Sequence, residues 1–143
     1  MSPELVYSIT NTAAVLSWVL LAILPGRRWV PTIVTGAVVP SLFAVLYVAI
    51  VVSIFGRSEG SFATLAGVAK LFSEPWLLLA GWVHYLAFDL LVGSWEVTDA
   101  RRRGIPHLLV VPCLLLTFLF GPAGWLLYRV LRLVRGKAAV QTV

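Results

Sequence analysis

Charge is what this sequence lacks most. Only 12% of its 143 residues are charged against 60% hydrophobic, and mean hydropathy is +0.96. Soluble domains are about half apolar and a quarter charged, so the composition excludes a soluble globule and defines a membrane protein. No charged side chain occurs between Arg28 and Arg57, and between Arg103 and Arg129 only His107 is able to carry one. The alternation that a spanning strand needs over about 9–11 residues is missing, which excludes a β-barrel. A single cysteine, Cys113, leaves no intrachain disulfide. Two histidines and six acids are too few for a di-metal oxidase, whose site takes about six such ligands.

Four apolar stretches are present, at about 6–24, 33–55, 76–95 and 108–128. Each approaches the ~20 residues that cross a ~30 Å hydrocarbon core as a helix. The expected fold is therefore an all-α membrane protein, one domain over residues 1–143 with four transmembrane helices. Glu4 and the absence of Lys or Arg before the first stretch argue against a cleaved signal peptide. No Arg- and Ser-rich organellar leader is seen, which points to a bacterial cytoplasmic membrane. Between the second and third stretches, Phe62, Leu65, Ala69 and Phe72 recur at helical spacing after Ser61, a candidate N-cap. That pattern predicts a short amphipathic helix on the membrane interface. Pro40 should kink the second span.

The net charge of +5 does not indicate nucleic acid. Its basic residues flank apolar runs, where they read as contacts to lipid headgroups. With four spans both termini share one side, together with Arg57, Lys70, Arg129, Arg132, Arg135 and Lys137. Arg27, Arg28 and Arg101 to Arg103 fall opposite. Six against five barely orients the bundle, and the long basic tail tips the termini toward the cytoplasm. A homodimer or another membrane subunit is an expected partner, because four helices enclose a deep cavity poorly.

The third stretch carries His84 and Asp89 where lipid-embedded helices usually carry nothing ionisable. A mid-bilayer carboxylate costs about 2.5–3.5 kcal/mol on insertion scales, which makes such a residue a functional candidate. At 100° per residue, Trp82, Tyr85, Asp89 and Glu96 share one stripe, and His84, Phe88, Leu91 and Trp95 share another. His84 and Asp89 are thus about 140° apart, flanking a cavity rather than touching. That separation disfavours an intrahelical metal site, and no metal or cofactor is expected. Desolvation keeps an unpaired Asp89 protonated, so it is able to donate a proton that a neutral His84 accepts. Trp82, Tyr85 and Phe88 are candidate linings for an apolar ligand. Glu96, Asp99 and His107 form a possible second polar group at the membrane surface, and Glu74 a helix cap. Each also has a plain structural alternative: inter-helix hydrogen bonding for His84 and Asp89, solvation for Glu96 and Asp99, and an aromatic belt for the flanking tryptophans.

Phe72-Ser73-Glu74, Trp82-Val83-His84-x4-Asp89-Leu90, Asp99, His107, Pro112-Cys113-Leu114 and Gly121-Pro122-x-Gly124 occur in that order. Over most of its length the chain resembles the abscisic-acid-deficient-four family, plant plastid membrane proteins required for neoxanthin formation, with bacterial relatives. Glu74, His84, Asp89, Asp99 and His107 match the family pattern, whereas the segment around Trp95-Glu96 departs from it. The resemblance implies carotenoid chemistry, in plants the rearrangement of a violaxanthin epoxide ring into the allenic alcohol of neoxanthin. Formally that is an isomerisation, served by an acid and a base without redox equivalents. The expected substrate is a lipid-soluble polyene, a carotenoid or another polyisoprenoid. Two other functions fit the residues: a non-catalytic carotenoid- or lipid-binding subunit, and a small proton or ion pathway through His84 and Asp89.

Overall fold

Long apolar runs bounded by Pro and Gly leave the backbone little choice but helix in lipid, where every N–H and C=O must be satisfied internally. The computed structural model of the protein describes residues 2–24, 26–54, 56 and 59–135, and their regular structure is helical throughout. Arg57, Lys137 and the span-edge residues Pro25 and Phe55 lie outside these. Helix α1 runs Pro3–Ile23, α2 Val39–Ile54, α3 Leu65–Phe72, α4 Pro75–Arg102, α5 His107–Phe120 and α6 Pro122–Arg135. Residues Val30–Val38 are wound as a π-helix that continues directly into α2.

Three helices are long and apolar enough to cross a membrane: Pro3–Ile23, Val30–Ile54 and Pro75–Arg102. Helix α4 is the central one, touching α1, α2, α3, α5, α6 and the π-segment. Its 28 residues extend the expected third span well past Trp95, because Glu96, Val97 and Ala100 are buried there. Helix α1 runs parallel to α4: Tyr7 meets Trp82, with ring centroids 5.9 Å apart, and Trp18 lies over Gly93. The second span runs antiparallel, Ser94 Oγ donating to Thr35 Oγ1 at 2.7 Å and Tyr47 facing His84. The wide winding ends just before Pro40, whose ring cannot sit over the carbonyl four residues back. Thr35 Oγ1 donates to the Val30 carbonyl, five residues back, as that winding requires.

Residues 108–128, expected as a fourth span, form no single helix. The chain breaks at Gly121, which has φ +43°, and two 14-residue helices fold against each other. Gly124 allows the closure, since a Cβ there would strike Thr117 and the Cys113 carbonyl. Along α6, Gly121 lies at Asp89, Tyr128 at Trp95 and Asp99, and Arg132 at Asp99. So α6 runs parallel to α4 and α5 antiparallel, and the hairpin starts and ends at the same end of α4. Its apex reaches α4 near the middle, because each arm is half of α4's length. Pro122 and the unusual φ at Gly121 stop a helix that hydropathy alone would carry through.

The expected short helix exists as α3. Its N-cap is Thr64, which accepts from Gly67 N–H at 3.0 Å, and not Ser61. Glu74 caps α4, its side chain accepting from Trp76 N–H at 3.4 Å.

Candidate functional site

The two stripes of α4 meet different neighbours. His84 faces α2: its ring is 5.5 Å from Tyr47 and 4.7 Å from Phe88. It opens into a cavity of about 310 Å³ lined by Tyr47, Val51, Phe62, Leu71 and Leu77 among others. A larger cavity of about 490 Å³, bounded by Pro3, Tyr7, Leu78 and Trp82, lies on the other side of Phe72. The Phe72 ring rests on Gly81, where a Cβ would sit 2.8 Å from Cε1, and forms the wall between the two. Of the expected lining residues, Trp82 borders the larger cavity, whereas Tyr85 and Phe88 border neither.

Asp89 faces the hairpin. A Cβ on Gly121 would lie 3.0 Å from Oδ1 and 3.3 Å from Oδ2, so glycine lets the apex settle on the carboxyl. The Tyr85 phenol lies beside it, with its own hydrogen given to the Phe118 carbonyl at 2.9 Å. Asp89 Oδ2 is shielded from solvent and has no hydrogen-bond partner, an arrangement that native interiors rarely keep without use. No contact joins Asp89 to His84 among the described residues, and each ring or carboxyl has its own neighbours.

Two turns further along, Glu96 is 0% exposed. Thr117 Oγ1 donates to both of its oxygens, at 3.1 and 3.3 Å. Asp89 and Glu96 lie within electrostatic reach of each other. One turn beyond, Asp99 accepts from Tyr128 Oη at 2.8 Å and pairs with Arg103 and Arg132, both at 3.0 Å. Arg132 also lies over the Trp95 ring. His107 Nε2 is 2.9 Å from the Ala22 carbonyl and ties α5 to the end of α1, away from the Glu96 and Asp99 contacts. Sequence reasoning underweighted Glu96 and missed Thr117, Tyr128 and Gly121. The signal for the last was present in Gly121-Pro122, a helix-stopping pair within an apolar run.

The described residues form a helical chain with three helices long and apolar enough to cross a membrane and a broken fourth segment folded over Asp89, an arrangement compatible with an integral membrane protein. More narrowly, the sequence profile of the ABA DEFICIENT 4-like family matches residues 5–128, and the chain belongs to that family. No curated protein and no solved structure matches it.

Proposed function

We propose that the protein acts in polyisoprenoid metabolism as a cofactor-independent isomerase of a lipid-soluble polyene or epoxide, with Asp89 as its proton donor. The observation that carries this is the unpartnered, shielded Asp89 Oδ2 at the hairpin apex. An ionised carboxylate with one shielded oxygen left unpartnered is expensive, while a protonated one is tolerable and holds an available proton. Membership of the ABA DEFICIENT 4-like family, with the carotenoid chemistry that the resemblance to neoxanthin-forming proteins implies, supports the substrate class. In this reading the donated proton opens the epoxide or protonates the polyene. The double bonds shift, and a proton leaves a neighbouring carbon, so atoms balance without an oxidant. His84, in ring contact with Phe88 on its own face of α4, is the base. Glu74, Asp99 and His107 have structural roles.

The hairpin also supports an orientation. Among the described residues it gathers Arg27, Arg28, Arg101, Arg102, Arg103, Arg129, Arg132 and Arg135 toward one end of the bundle, with Lys70 toward the other. The positive-inside rule then puts that end in the cytoplasm and the start of α1 outside, in place of two termini on one side. Helix α3, with Leu65 and Phe72 exposed, lies along the outer interface.

Expression in a carotenoid-producing host tests the chemistry. Pigments from cells with the wild-type chain should keep their mass and shift in absorption, and Asp89→Asn should remove the shift while the protein stays folded. A change of mass would sink isomerisation. A second reading, binding without catalysis, is favoured by the two apolar cavities beside Trp82 and His84. Unchanged pigment copurifying equally with wild type and Asp89→Asn would select it.

A further inference from the structure

Both cavities lie against the same stretch of α4, residues 75–84, and Phe72 and Gly81 line both. Their other walls differ. Helix α1 gives Tyr7 to the larger, and α2 gives Tyr47 and Val51 to the smaller. What divides them is one ring on one glycine. A Cβ on Gly81 would lie 2.8 Å from Phe72 Cε1 and 3.4 Å from Cζ, inside the ~3.5–4.0 Å at which carbons pack. Phe72 ends α3 and is 44% exposed, whereas the adjacent Leu71 is 2% exposed and packs against Gly60. Leu71 therefore keeps α3 docked while the Phe72 ring turns between rotamers.

We infer that the two cavities are one binding site for a single elongated isoprenoid chain, which crosses α4 over Gly81 when the Phe72 ring swings out. Phe72 and Gly81 then set the length of ligand that the protein accepts. This rests on the reading of the ligand as a lipid-soluble polyisoprenoid. The crossing is flanked by Leu77, Leu78 and Ala80, so the middle of the ligand must be thin and apolar. With the ring seated, each cavity holds only a short chain. With the ring out, one long chain fills both, and its ends lie against Trp82 and His84. Sites for one small molecule span about 300–1,000 Å³, and cavities of about 490 and 310 Å³ stay within that range when joined.

Photocrosslinking of the full chain in lipid nanodiscs tests this with two probes. One is a geranyl chain with one diazirine, the other a geranylgeranyl chain with a diazirine at each end. The short probe should add twice per chain, near Tyr7 and near Val51, as read by mass spectrometry. The long probe should add once, bridge those two peptides and displace both short probes. Phe72→Ala should raise the bridged fraction at limiting probe about fivefold, the scale of one packed aromatic contact. Gly81→Leu should lower it about tenfold, the scale of overpacking, while both short-probe adducts persist and report an intact fold. A long probe that labels one cavity only, or displaces one short probe only, overturns the single site. Bridging that appears only in Phe72→Ala makes the ring a fixed wall and overturns it as well. Bridging by a photolabile phospholipid acyl chain that the isoprenoid does not displace overturns the ligand class. The site and the isomerase fail separately. Bridging without pigment conversion keeps the site and rejects the isomerase, and conversion without bridging does the reverse.

Discussion

The two halves of α4 do opposite things with the same helix. From Pro75 to Phe88 it presents Leu79, Ala80, Val83 and Leu86 to α1 and α2, with Trp82 and His84 lining the two cavities and Tyr85 bonded to the Phe118 carbonyl. From Asp89 to Arg102 it buries a carboxylate ladder under the hairpin, among Leu90, Val97, Val110 and Leu114. The first half offers volume without acid, and the second offers acid without volume. The proposed function depends on the junction between them, where Phe88 and Asp89 are adjacent and the hairpin apex ends.

The sharpest break in that contrast is chemical. Asp89→Asn should lower isomerisation by about 10²–10⁴-fold, read as pigment conversion per folded protein, and Trp82→Ala should leave conversion largely intact while weakening pigment retention. His84→Ala then decides whether the base is on the other face: a loss as large as that of Asp89→Asn assigns it there, and full activity means Asp89 recovers the proton itself.

Next in size is the apex. Gly121→Ala should cost about 1–3 kcal/mol, because its φ of +43° is strained for any side chain and the new Cβ meets Asp89 Oδ1 at 3.0 Å. Thermal unfolding in detergent would measure it, and an unchanged midpoint would contradict the hairpin geometry. Thr117→Val should cost about 1–3 kcal/mol by leaving Glu96 with no donor, and Glu96→Gln should restore part of that loss in the double variant. The cavity half should respond least. Trp82→Ala, at a side chain 39% exposed that meets the Tyr7 and Tyr85 rings, should cost about 0.5–1.5 kcal/mol.

Much of the first half was legible in the sequence. Its spans follow from uncharged runs and its cap from Glu74 before Pro75, whereas Pro40 predicted a kink and the structure instead has a π-wound segment ending just before it. The second half was legible only in part. Asp89 stood out because an acid in an apolar run is rare, yet Glu96 and Asp99 resembled interfacial residues at the end of a span. They read that way because residues 108–128 look like one continuous crossing. Once Gly121 and Pro122 break that crossing, Thr117 and Tyr128 arrive from the covering helices, and Glu96 becomes interior.

Hydropathy alone pointed to apolar helices of membrane length, since backbone in lipid must satisfy its hydrogen bonds internally and these runs lack the alternation of a barrel strand. It also marked Asp89 by the cost of keeping it there. Which side chains share that carboxyl's surroundings was decided by tertiary packing: His84 turns to Tyr47, and Asp89 turns to Gly121 and Tyr85. Helical periodicity assigns a residue to a face, but only the fold of a distant glycine-broken segment determines what that face meets.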